Sequence, residues 1–143
     1  MLEKLHAEQK SGDEPLTSNG RTLHFTLLDF WKWSVSDILS NATRGRLAEF
    51  IVATATRMEK TKVRDEWDAY DIVTMDGIKI EVKSAAYLQS WFQKSYSNIS
   101  FNIRITGHWD VASNIFYKAE KRRADVYVFC LLSHQDKSTV NPL

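Results

Sequence analysis

Between Tyr70 and Ser84 the chain reads YDIVTMDGIKIEVKS, and no other stretch limits the possible folds so tightly. Apolar residues alternate on either side of Asp76-Gly77, the pattern of two strands joined by a tight turn. A two-residue type I′ turn pairs Met75 with Ile78 and hence Ile72 with Glu81, which mixes apolar and charged side chains on one face. A three-residue loop, Met75-Asp76-Gly77 with Gly77 left-handed in a G1 bulge, pairs Tyr70 with Val82, Ile72 with Ile80 and Thr74 with Ile78. One face is then wholly core. The other carries Asp71 across from Glu81, with Lys83 two residues along. The second register is the one predicted.

Two ionised carboxylates held about 5 Å apart at Cβ repel one another unless a cation lies between them. A divalent metal answers that need. Mg²⁺ (or Mn²⁺) takes hard oxygen ligands, keeps several waters and bridges to phosphate, so Asp71 and Glu81 are candidate ligands, with the backbone carbonyl of Val82 a further one. Lys83 beside such a metal would polarise an attacking water or neutralise charge growing on a phosphate. The bland alternative is a solvated sheet face with a Glu-x-Lys pattern, which charged sequences produce by chance.

At 143 residues with 43% apolar content, five Trp and seven Phe, the chain has enough apolar material for one core. Its 19 Lys and Arg nearly balance 18 Asp and Glu, so any basic surface must be local. The single cysteine, Cys130, lies in the apolar run VYVFCLL and is expected to be a buried small side chain in a reducing, cytoplasmic setting. No apolar stretch approaches a membrane span, and the N-terminus has no signal-like apolar region.

Residues 1–22 are polar and aperiodic and are predicted to be a flexible arm, leaving 23–143 as one domain that is expected to lack a C-terminal element, since the chain stops soon after its last strand. Helices are predicted from Leu27 to Leu39 and from a cap at Asn41 or Thr43 to about Met58, the second burying the stripe Leu47, Phe50, Ile51, Thr54, Ala55 and Met58. Residues 59–66 are read as a loop or a short strand around Val63. Residues 99–104 alternate like a strand, 110–123 read as a helix ending in Lys118, Lys121, Arg122 and Arg123, and 124–132 as a buried strand.

Asp71, nine residues, then Glu81-Val82-Lys83, preceded by a helix carrying Glu49, resembles the PD-(D/E)xK nuclease superfamily over roughly residues 43–132. The stretch LLDFWKWSVSDILSNATRGRLAEF is also similar to a bacterial group built on that nuclease core. The resemblance implies an α/β fold with a restriction-endonuclease-like αβββαβ core, a mixed central sheet flanked by helices, and here an extra N-terminal helix. It implies metal-dependent cleavage of phosphodiester bonds, DNA before RNA, with Asp71 and Glu81 as metal ligands, Lys83 as the assisting cation and Glu49 as an added helix carboxylate. Tyr70 stands where the superfamily often has proline, and Glu49 lies about 200° from Leu47 around its helix, away from the predicted apolar stripe.

In YLQSWFQKSY, Gln89, Gln93, Lys94 and Tyr96 are candidate nucleic-acid contacts, although aromatics this dense commonly belong to a core. The four histidines share no metal-ligand spacing, and neither GxxxxGK[ST] nor GxGxxG occurs. Nucleic acid is the expected partner, a homodimer is admitted, and no membrane is expected. The rival reading is a nuclease-fold module that has lost catalysis and holds nucleic acid or a protein.

Overall fold

The computed structural model describes residues 5–58, 62–66, 68–105, 107–110, 113–118 and 121–143. Among them, two helices and three small sheets form a mixed α/β arrangement.

Strands β1 (Pro15–Ser18) and β2 (Arg21–Thr26) form a hairpin where a loose arm was predicted. The overlooked signal is Asn19-Gly20, whose φ values of 50° and 75° supply the two left-handed residues of a two-residue turn. Just before it, Gly12 and Glu14 give their carbonyls to the Leu28 and Leu27 amides at 2.9 Å, so this segment docks on the start of α1 (Leu27–Val35). Gly12 is buried at φ 99° with no room for a side chain, since an added Cβ would stand 3.0 Å from the Trp31 ring. Helix α1 begins in a capping box. The Thr26 hydroxyl accepts from the Asp29 amide at 3.3 Å, and Asp29 accepts from the Thr26 amide at 2.8 Å. The helix ends four residues short of the predicted Leu39.

Helix α2 (Asn41–Ala55) is capped by Ser40, one residue ahead of the predicted candidates, with its hydroxyl accepting from the Thr43 amide at 3.4 Å. The buried face is Arg44, Ala48, Val52 and Ala53, while Phe50 and Ile51 of the predicted stripe are 63% and 53% exposed. Packing against a sheet favours a face of small residues that lets backbone approach backbone, and the bulkier side stays outward. Of the predicted stripe, Met58 does pack against the core.

Strands β3 (Ile72–Val73) and β4 (Lys79–Ala86) are antiparallel in the register Ile72↔Ile80. Gly77 has φ 80°, and the Thr74 amide donates to the Ile78 carbonyl at 3.0 Å, as the three-residue loop requires. The ladder stops short of the predicted Tyr70–Val82 pair, because the Val82 amide donates to the Asp71 carboxylate at 2.7 Å. Ile72, Ile80 and Val82 meet Ala48, Val52 and Ala53 in the core.

No strand forms at 99–104, and the predicted helix at 110–123 is replaced, in its described part, by the hairpin of β5 (His108–Asp110) and β6 (Ile115–Tyr117). Residues 111–112 and 119–120 of that prediction lie outside the described residues, as do 59–61 of the charged run. Its remainder, 62–66, is without a strand. The helical pattern loses to Asn114 at φ 58°, a turn residue, followed by the strand formers Ile115, Phe116 and Tyr117. Strand β7 (Val126–Leu132) then pairs parallel with β4 from Ile80↔Val126 to Ala86↔Leu132. Asp125 fixes that start by donating its amide to the Lys79 carbonyl and accepting from the Lys79 amide, at 2.8 and 2.9 Å.

The sheet order β3-β4-β7 is therefore mixed, with α2 covering one face. Val128 and Cys130 point to that core, and alternation sends Tyr127 and Phe129 to the other face, where Phe101 stacks on Phe129 at 4.7 Å. No helix among the described residues is long and apolar enough to cross a membrane.

Candidate active-site cleft

Because Ile80 and Val82 face α2, alternation turns Glu81 and Lys83 to the opposite side of β4. Asp71, immediately before β3, joins them in lining a cleft of about 510 Å³. Glu66 and Asp68 add further acidic groups to its lining. Arg104, Lys121, Arg122 and Arg123 add basic ones. Trp109 and Phe116 of the β5–β6 hairpin also line it.

Asp71, Glu81 and Lys83 of the lining join Glu49 and Arg64, which stand outside it, in a network of three carboxylates and two cations. Lys83 Nζ pairs with Glu81 Oε1. Arg64 grips Glu49 through Nε and, at 3.1 Å, through Nη2, which also stands 4.0 Å from Asp71 Oδ1. Glu49 thus reaches the sheet edge, with its side chain only 15% exposed. Its position opposite the predicted stripe is what brings it there, since the face that α2 buries is the one beside Glu49. Arg64 was missed: it lies in the charged run 59–66, where no periodicity marks one cation from another.

Asp71 has the least balanced charge. Burial pushes its carboxyl up to about 6, the Val82 amide opposes that rise, and the negative charges of Glu81 and Glu49 add to it. Arg64 shifts upward, chiefly because it donates to Glu49.

The residues after β4 occupy other ground. Gln89 is buried, accepting from Arg44 Nη1 at 3.1 Å and donating to Ser97 Oγ at 3.1 Å and the Ala86 carbonyl at 3.3 Å. Gln93 accepts from the Gln89 amide at 2.7 Å and donates to the Tyr87 carbonyl at 3.1 Å. These two glutamines brace the loop after β4 against α2. Tyr96 donates to the Gln135 carbonyl at 3.0 Å, and Lys94 is exposed. None of the four lines the cleft.

A cleft lined by both carboxylates and cations suits a polyanion together with a cation. Residues 16–143 match the family model described as bacteriophage T4 endonuclease IV. The chain belongs to that family and is a nuclease acting on nucleic acid. No curated protein and no solved structure matches it.

Proposed function

We propose that the chain is a divalent-metal-dependent endonuclease that hydrolyses phosphodiester bonds in DNA, through Asp71, Glu81 and Lys83 with Glu49 beside them, on a core of the PD-(D/E)xK type. The observation that carries this reading is the half-buried carboxyl of Asp71, which lines a cleft with Glu81 and has Glu49 close behind, in a chain of an endonuclease family. Three carboxylates against the two cations Lys83 and Arg64 leave one negative charge in excess, which favours a bound cation.

The donors suit Mg²⁺ or Mn²⁺: hard oxygens from Asp71 and Glu81, with the Val82 carbonyl next in line and waters completing the shell. Among the described residues no three His, Cys, Asp or Glu side chains already converge as a cage. Glu81 is paired with Lys83, so its carboxylate must exchange that partner to serve as a ligand. Bound there, the metal would supply Lewis-acid polarisation of the scissile phosphate and a more acidic water.

The chain's own groups do the rest. Asp71 is held in direction by the Val82 amide, and Glu49 is held beside it by Arg64. Lys83, once free of Glu81, offers its ammonium to charge developing on the phosphate.

The test is calorimetric titration with Mn²⁺ of wild type and Asp71→Asn, beside cleavage assays on single-stranded, duplex and branched DNA and on RNA. Wild type is expected to bind metal and cut DNA. Glu81→Gln is expected to abolish cutting, because an amide is a much weaker ligand for a hard cation. Lys83→Ala is expected to slow cutting by about 10² to 10³ while metal binding persists. Absence of both metal affinity and cleavage in wild type would overturn the reading.

A further inference from the structure

Besides its carboxylates, the cleft is lined by two kinds of side chain that the hydrolytic step itself does not require. Arg104, Lys121 and Arg123 bring positive charge to the cleft, and none has a carboxylate partner among the described residues. Arg122 differs, because its Nε is committed to the Ile103 carbonyl at 3.1 Å and thereby ties this basic segment to 99–104. The cations come from two stretches of chain that tertiary folding brings to one cleft.

Beside them stand Trp109 and Phe116, directly paired across the β5–β6 hairpin with ring centroids 6.5 Å apart. They remain 43% and 58% exposed although both line a cleft. Large aromatics left open to water at the mouth of a site lack the burial that would explain them as core. Gly107 shows that their placement is closely fitted: a Cβ there would stand 2.5 Å from Phe116 Cζ and 2.7 Å from the Tyr117 carbonyl oxygen.

We propose that Arg104, Lys121 and Arg123 grip the phosphate backbone of the nucleic acid and that Trp109 and Phe116 receive one of its bases. The assignment rests on the nuclease reading above. It adds a place for the nucleotide next to the carboxylates, and its chemistry is divided in two. Free cations recognise phosphate whatever the base, and an aromatic face recognises a base plane whatever the phosphate. The cleft volume of about 510 Å³ falls within the usual range for a small-molecule site and suits a nucleotide-sized group.

The experiment measures fluorescence anisotropy of a short labelled DNA oligonucleotide, and of an abasic strand of the same length, over a salt titration in EDTA. Cleavage by the same preparations is followed in Mn²⁺. Replacing Arg104, Lys121 and Arg123 together by Ala is expected to reduce the slope of log affinity against log salt by about 2 to 3, at about 0.7 to 0.9 per phosphate contact. The corresponding Lys121→Arg, Arg104→Lys and Arg123→Lys protein is expected to keep the wild-type slope. Trp109→Ala is expected to weaken the base-bearing strand about tenfold and leave the abasic strand unchanged, and Trp109→Phe to restore the difference. An unchanged salt slope overturns the phosphate grip, and equal weakening of both strands, or of neither, overturns the base platform. Wild-type cleavage alongside either result confines the failure to the grip; wild type that neither binds nor cuts brings down the nuclease reading as well.

Discussion

Asp71 is asked to be both a half-buried side chain and an anion, and the conflict has a measurable direction. Its folded carboxyl stands at about 6, above the ordinary 3.8. Folding therefore favours the protonated form, so this group's contribution to stability is full below about pH 4 and is lost as pH rises through about 6. In metal-free buffer, Asp71→Asn is expected to melt higher than wild type at pH 7, with the gap closing by pH 4. Asn keeps an acceptor for the Val82 amide, so lost hydrogen bonding does not obscure the comparison. With metal present the same proton competes with the ligand role, and cleavage is expected to fall as pH drops, with a midpoint below 6 that moves lower as the metal concentration is raised. Arg57 shows a simpler strain. It ends α2 at φ 55°, with the Met58 amide returning to the Ala53 carbonyl at 3.0 Å, a position that suits glycine. Arg57→Gly is expected to raise unfolding free energy by up to about 1 kcal/mol in denaturant titration.

At the scale of the element, α2 and the β5–β6 hairpin each rest on a few small side chains. Val52 is buried against β4, whereas Phe50 on the other side of the helix is largely exposed. Val52→Ala is therefore expected to cost about 2 kcal/mol from lost burial and the void left behind. The larger truncation Phe50→Ala should stay within about 0.5 kcal/mol, and urea denaturation of both variants orders them. A result in the reverse order would place the core on the other side of the helix. For the hairpin, Gly107→Ala drives a Cβ into backbone as well as into the Phe116 ring, so the hairpin must move. The expected cost is about 1 to 3 kcal/mol, read as faster hydrogen exchange across Trp109 and Phe116.

For the whole molecule, one cleft gathers acids and cations from both ends of a parallel crossover. Strand β4 supplies Glu81 and Lys83, and the long connection to β7 supplies Arg104, Lys121, Arg122 and Arg123. A ligand that binds only the folded state stabilises it, so Mn²⁺ at about a hundred times its dissociation constant is expected to add about 2.7 kcal/mol to wild type. Asp71→Asn should lose most of that increment in thermal melts. If Mn²⁺ raised the melting temperatures of wild type and variant equally, the cation would be binding elsewhere.

Period-two alternation and one glycine located the hairpin. The demand that one face be wholly apolar chose the register Ile72↔Ile80 over its neighbour, and with it the side of the strand that carries Glu81 and Lys83. These are local constraints, and a local pattern suffices to reveal them. Asn19-Gly20 was equally local, and its hairpin could have been read from the chain alone. The face that α2 buries could not: helical period leaves Leu47, Phe50 and Ile51 as plausible as Ala48, Val52 and Ala53, and only the closeness of the sheet selects the smaller set. The segment at 99–104 belongs with α2, because Phe101 stacks on Phe129 of the sheet instead of pairing in a strand, whereas the turn at Asn114 and the strand formers after it were local and could have been read from the chain. The sequence by itself determined the short-range hairpin and the side of it that carries Glu81 and Lys83. Tertiary structure alone decided that Arg64 would bind Glu49 beside Asp71, and that cations more than twenty positions downstream of Lys83 would line the same cleft as Asp71 and Glu81, because such encounters depend on how the chain returns to itself and not on any spacing along it.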